Sequence, residues 1–349
     1  MNHITNQLPS RIFTTNSQEY LWFSGTSYLG MPHHQGFREN FMRAFERYGT
    51  SWGSSRNNNI RLDIYEKAEI ELAKFAKMPA ALTVSSGMWA GQLVVNFLQK
   101  PNTKFFFAPK THPALWNQKD LQLEDWEKGL SYAAWASKIA EKVGECKAEN
   151  IVICSDSVGS PYVEAFDFQW IDELPANKNI TIVIDASHSF GIHHFNYLIT
   201  KSSNHSIIIT TSLNKAMGMA GGAIFSDFET VSSIRQSPMF AGASPMMPAL
   251  LETFINSLDY FTEQQQKLSE NIMYFNSLIP QNSFLDYIQN YPAYCTHQSG
   301  VHEYLKENGI MTACFPYPTA TDLPVTRLVI SALHLQEDLE KLGKLVIGY

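Results

Sequence analysis

SLNKAMGMAGG, residues 212–222, sets one lysine among small and apolar neighbours, and Lys215 is the only Lys, Arg, Asp or Glu between Ser202 and Ser226. A lysine on a solvated loop is the ordinary case. A lysine held in an uncharged stretch is different, because burial lowers its pKa and makes a nucleophilic amine. That condition suits imine formation with an aldehyde cofactor. The stretch lies between two apolar runs, SIIIT (206–210) and GGAIFS (221–226), each short enough to be a strand.

Outward from this stretch the same pattern repeats. Apolar runs at 80–84 (AALTV), 104–108 (KFFFA), 151–154 (IVIC) and 181–184 (TIVI) are separated by helical stretches. Runs that are continuous, not alternating, predict strands buried on both faces of a mainly parallel sheet, hence an α/β fold. Helices are expected over 38–48 and 63–77, and one helix over roughly 246–268. After it the chain reads as a smaller α/β unit, with helix 300–308, strands 310–315 and 325–331, and a closing helix from about 335.

Composition narrows the classes. The chain has 349 residues, 44% hydrophobic and 17% charged, with formal charge −7 and no run of either sign. A nucleic-acid binder would carry clustered basic residues, and none are clustered here. Cys146, Cys154, Cys295 and Cys314 lie far apart without CxxC spacing, as expected for free thiols in a reducing cytoplasm. The N-terminus lacks a basic start followed by an apolar run, and no apolar stretch approaches the ~20 residues that cross a bilayer. A soluble cytoplasmic protein is expected, with no membrane and no nucleic-acid partner.

Ligands of open parallel sheets bind outside the carboxyl ends of the strands, so the residues after each run are the candidates. Ser85-Ser86-Gly87-Met88 opens a helix and suits a phosphate through its N–H groups and dipole. His112 follows the second run, SDSVGS (155–160) the third, Asp185-Ala186-Ser187-His188 the fourth, and Ser212 to Lys215 the fifth. Asp185 could cap a helix, or ligate a metal with His188 and His112. Asp-x-x-His alone is a weak metal signal without further ligand spacing, so no metal is expected. Arg327 has two readings of equal weight: a surface arginine packing its stem on a sheet, or a bidentate clamp on a carboxylate.

Taken together these motifs resemble the α-oxoamine synthases of pyridoxal 5′-phosphate (PLP) fold type I, of the 8-amino-7-oxononanoate synthase and 2-amino-3-ketobutyrate CoA ligase kind. The likeness runs from about Phe23 to His334. FSGTSYLG (23–30) is similar to the family's FSSNDYLG, YGTSWGSSR (48–56) to YGxGSGGSR, and SSGMWA (85–90) to SSGYAA. KTHPAL (110–115) is similar to NHASL, SDSVGS to TDGVFS, IDASHSFG (184–191) to VDEAHSFG, SLNKAMGMAGG to TFSKALGxxGG, and RLVISALH (327–334) to RISLSAAH. The resemblance implies that Lys215 carries PLP as an imine and that Asp185 keeps the pyridine nitrogen protonated. It further implies that His112 stacks on the ring, that His188 and Ser160 lie by the 3′-oxygen, and that Ser86, Gly87, Met88 and Ser212 hold the phosphate. Arg327 would bind the substrate carboxylate, with Thr26 beside the substrate.

The chain also departs from the pattern. Thr26 replaces an asparagine, Tyr65 a histidine, and Pro161-Tyr162 a Met-Asp pair, while the small domain is shortened around 285–300. The resemblance implies acyltransfer from an acyl-CoA to a small amino acid with decarboxylation. An aminotransferase uses the same Lys, Asp and Arg, and a non-catalytic PLP-binding protein keeps the same fold. A twofold homodimer with shared sites is also implied, SPMFAGASPMM (237–247) standing where a loop reaches the partner's phosphate. The expected division is an N-terminal segment 1–40, a large PLP-binding domain 41–245, and a linking helix with small C-terminal domain 246–349.

Overall fold

A computed structural model describes residues 3–117, 127, 129–160, 163–192, 205–280, 282–316 and 322–349. Pro161 and Tyr162 lie outside the described residues. One six-stranded sheet has the order β3-β10-β9-β8-β5-β4. Its strands are β3 (Ala80–Val84), β4 (Thr103–Phe107), β5 (Asn150–Asp156), β8 (Asn179–Asp185), β9 (Ser206–Ser212) and β10 (Gly222–Ser226). Pairs β4/β5, β5/β8 and β8/β9 are parallel. β10 runs antiparallel to both β3 and β9, because only the short Lys215 loop separates it from β9. Continuous apolar runs announce burial, not strand direction.

Both faces of this sheet are covered, as the runs demand. Val152, Cys154, Val183 and Ile208 pack on one side with Leu93 and Val94 of α3 (Gly87–Leu98). Ile151, Ile153, Ile182 and Ile209 face the other way, into a core shared with α2 (Ile64–Ala76) and with Trp135 and Ile139 of α4 (Tyr132–Glu145). Successive residues of a strand point to opposite faces, so a strand between two layers has few positions for a polar side chain until it ends. The polar side chains therefore gather at the carboxyl ends.

The second sheet has the order β1-β2-β13-β14-β12-β11. It draws β1 (Ile12–Thr15) and β2 (Gln18–Phe23) from the N-terminus, β2 pairing in parallel with β13 (Ile310–Pro316). The rest is C-terminal: β11 (Asp286–Tyr287), β12 (Ala293–Thr296) and β14 (Pro324–Val329). These N-terminal strands were not anticipated. The single helix expected over 246–268 is two, the shorter at Pro248–Ile255 and the longer at Leu258–Leu278. At the break, the side-chain amide of Asn40 of α1 (Gln35–Tyr48) donates to the Asn256 carbonyl at 2.7 Å and the Ser257 hydroxyl at 2.9 Å. That amide serves a freed carbonyl at the break. Among the described residues, no helix is long and apolar enough to cross a membrane.

Candidate active site

Asp156 and Asp185 end β5 and β8 side by side, as register partners. Both are buried. The Asp156 Oδ1 accepts the His112 backbone N–H at 3.2 Å, and the His112 Nδ1 lies 3.9 Å from the Asp185 Oδ2. Asp185 also accepts the Ser187 N–H at 2.8 Å, and the Ser187 hydroxyl in turn accepts the Ser212 N–H at 2.8 Å. The loops after β4, β5, β8 and β9 are thus pinned to one another by side chains at strand ends.

Lys215 is half-buried and lies within electrostatic reach of both carboxylates. Burial draws its pKa down to about 8 against the opposing pull of Asp185 and Asp156, with Arg327 adding to the fall. Burial, reinforced by the Asp185 charge, pushes the Asp156 carboxyl well above the usual carboxylate range. Burial also lowers His112, with Asp185 opposing and Lys215 assisting. His112 keeps a half-exposed ring, as a side chain must if it is to lie against a ligand.

Ser86 caps α3, its hydroxyl accepting the Trp89 N–H at 3.1 Å. The first turn of a helix has N–H groups that the helix itself does not use. Here that turn presses against the end of β9. A Cβ on Gly87 would sit 2.5 Å from the Ser212 Cβ, and one on Gly222 would sit 2.3 Å from the Ser86 carbonyl oxygen. Only glycine permits this approach of helix to strand. Met88 stands half-exposed at the same turn, and Ser160 follows the short strand Val158–Gly159.

Arg327 is not a surface arginine; it is 8% exposed, and its Nε has no hydrogen-bond partner among the described residues. Its Nη2 donates to the Tyr28 hydroxyl at 3.0 Å, and Tyr28 lies 3.0 Å from the His188 Nδ1. The His188 imidazole is held well below its usual range by burial, then by the Lys215, Arg327 and His112 charges. Thr26 lies two residues before Tyr28, on the turn after β2, partly exposed. Lys215, Asp185, His112, His188 and Arg327 are therefore brought within electrostatic reach of one another. Sequence reasoning passed over Asp156, Tyr28 and Tyr291. Asp156 and Tyr28 stood inside quoted motifs, whereas Tyr291 carried no signal.

The family model for aminotransferase class I and II matches residues 19–342. The chain belongs to this family. Its members here are PLP-dependent transferases of fold type I, and the relatives it matches within the family are α-oxoamine synthases. The 8-amino-7-oxononanoate synthase of Petrotoga mobilis is 24% identical over 94% of this chain and 90% of its own length. A structure of serine palmitoyltransferase (SPT) with a PLP internal aldimine superposes with a TM-score of 0.80 at 14% identity, covering 99% of this chain and 92% of that one. The 8-amino-7-oxononanoate synthase structure from Francisella tularensis gives a TM-score of 0.68 at 18% identity, over 94% and 96%.

Proposed function

We propose that the chain is an α-oxoamine synthase acting on a small amino acid and an acyl-CoA. The carrying observation is one site that joins an amine of lowered pKa, a buried carboxylate beside it, and a buried arginine with a free Nε. These residues fit PLP. Lys215 would hold it through the ε-amine, Asp185 would face the ring nitrogen, and His112 would lie on the ring. The phosphate would rest between the α3 N-terminus at Ser86, Gly87 and Met88 and the Ser212 hydroxyl, where no Cβ has room at position 87. His188 and Ser160 would meet the 3′-oxygen. When bound, PLP supplies an electron sink for the substrate α-carbon.

The chain's own residues would supply the rest. Arg327 would hold the α-carboxylate through its unpartnered Nε, and Thr26 would border the substrate. The Lys215 amine would take the proton from the α-carbon as general base, its pKa lowered to about 8 making the free amine more available than in an ordinary lysine. A carbon–carbon bond would form between the α-carbon and the thioester carbonyl, CoA leaving as its thiol. The amino acid's carboxyl carbon would leave as CO2, and a returned proton would complete the α-aminoketone. A twofold homodimer would complete each site with the partner's 237–247 segment. In this chain that segment is braced by Tyr65, whose hydroxyl donates to the Met246 carbonyl at 2.8 Å.

The test is PLP-loaded protein incubated with glycine, alanine or serine and a series of acyl-CoA esters. Thiol release that requires one amino acid, and that disappears in Lys215→Ala, is expected. Transfer of the amino group to a 2-oxo acid without thiol release would replace this reading with an aminotransferase.

A further inference from the structure

Four side chains from four parts of the chain meet beside the site. Tyr28 comes from the N-terminal segment, His188 from the loop after β8, Arg327 from β14, and Tyr291 from the approach to β12. Tyr28 and Tyr291 are 0% and 1% exposed. The Tyr28 oxygen lies 3.0 Å from the Arg327 Nη2, 3.0 Å from the His188 Nδ1 and 3.4 Å from the Tyr291 oxygen. The Tyr291 hydroxyl donates to the His188 backbone carbonyl at 3.0 Å.

Donor counting leaves little freedom. A guanidinium only donates, so the Tyr28 oxygen accepts from Arg327. The Tyr291 proton is committed to the His188 carbonyl. The single Tyr28 proton then has the His188 Nδ1 at 3.0 Å or the Tyr291 oxygen at 3.4 Å, and the nearer acceptor makes the stronger bond. An imidazole whose Nδ1 accepts carries its proton on Nε2.

We propose that Tyr28 and Tyr291 are positioning residues that lock His188 as the Nε2–H tautomer and tie that choice to Arg327. Tyr28 sets the ring proton, and Tyr291 holds the backbone from which the ring hangs. His188 then offers a donor to whatever lies beyond Nε2. The identity of that acceptor, the 3′-oxygen, and the part of Arg327 toward a substrate rest on the function proposed above; the tautomer does not. Because Arg327 donates to the same hydroxyl, the arm that would hold the substrate carboxylate and the imidazole beside the cofactor share one hydrogen-bond chain. Removing the Tyr28 hydroxyl should free both ends of it.

Nitrogen-15 NMR of histidine-labelled protein tests this, with His188 assigned by loss of its signal in His188→Asn. In the wild type, without PLP, Nδ1 should give an acceptor-type shift and Nε2 a protonated one. Tyr28→Phe should convert His188 to a mixture or to the Nδ1–H form and, in the PLP-loaded enzyme, raise the amino-acid KM about tenfold, the worth of one buried hydrogen bond to a charge. Tyr291→Phe should leave the tautomer unchanged while raising that KM. A wild-type Nδ1–H form, or an unchanged tautomer in Tyr28→Phe, overturns the proposal. Should Tyr28→Phe not fold, the wild-type spectrum alone decides. Absence of PLP binding would sink the proposed function and leave the tautomer result standing.

Discussion

At the scale of single residues, Lys215 was legible because charge is conspicuous by isolation, and the structure adds the groups that set its acidity. Its pKa is lowered to about 8, so the free amine appears at lower pH than for an ordinary lysine. Capture of PLP by the apo protein should therefore quicken about tenfold per pH unit below 8 and level off above it, followed by stopped-flow absorbance. Stability should move the same way. Between about 8 and the ordinary value of 10.5 the unfolded chain keeps a lysine proton that the folded chain has released, so apo stability contributed by this group rises with pH across that window. Arg327 was undecided in sequence, since packing on a sheet and clamping a carboxylate use the same residue in the same strand. Burial removes the surface reading, and an Nε without a partner among the described residues supports the proposed clamp. Arg327→Lys keeps the charge and loses the planar fork, so the amino-acid KM should rise at least tenfold in steady-state assays. Tyr291 could not be read beforehand, because nothing local distinguishes a tyrosine that reaches a distant histidine from one that only fills a core.

At the scale of elements, the strands of the sheet that carries Asp156 and Asp185 were visible because a strand covered on both faces is mostly apolar. Direction was not visible: β10 reverses against β9 through a loop whose length, not composition, forces it. The break between the two helices at Asn256 and Ser257 was hidden for a similar reason, since the amide that satisfies it belongs to Asn40 on another helix. The approach of α3 to the end of β9 was half legible. A small-residue helix start suggested a phosphate, but only the structure shows that Gly87 has no space for a methyl group. Gly87→Ala would push the helix N-terminus off Ser212, so PLP affinity should fall at least tenfold by absorbance titration.

At the scale of the molecule, the two sheets are joined by chain that crosses between them. β1 and β2 start the sequence and finish the C-terminal sheet. The Arg11 guanidinium donates to Asp338 at 2.8 Å, and the His334 ring stacks on Phe23 at 4.0 Å while its Nε2 contacts the Trp22 carbonyl at 3.0 Å. Deleting residues 3–23 would expose the β13 edge and strip this packing, so thermal unfolding followed by circular dichroism should lose its cooperative high-temperature transition. Such long-range closure leaves no periodic trace in a short strand, which is why the N-terminal pair escaped a reading that saw the C-terminal strands they join. The site sits where these parts meet: floor from the sheet that carries β5, β8 and β9, arginine from the C-terminal sheet, Tyr28 from the crossing chain. One covalent position decides the chemistry proposed for this site. The protein should be saturated with PLP, reduced with borohydride, digested, and its peptides read by mass spectrometry. A single pyridoxyl group on Lys215 is predicted, and a stoichiometric label on another lysine, or none, would contradict it.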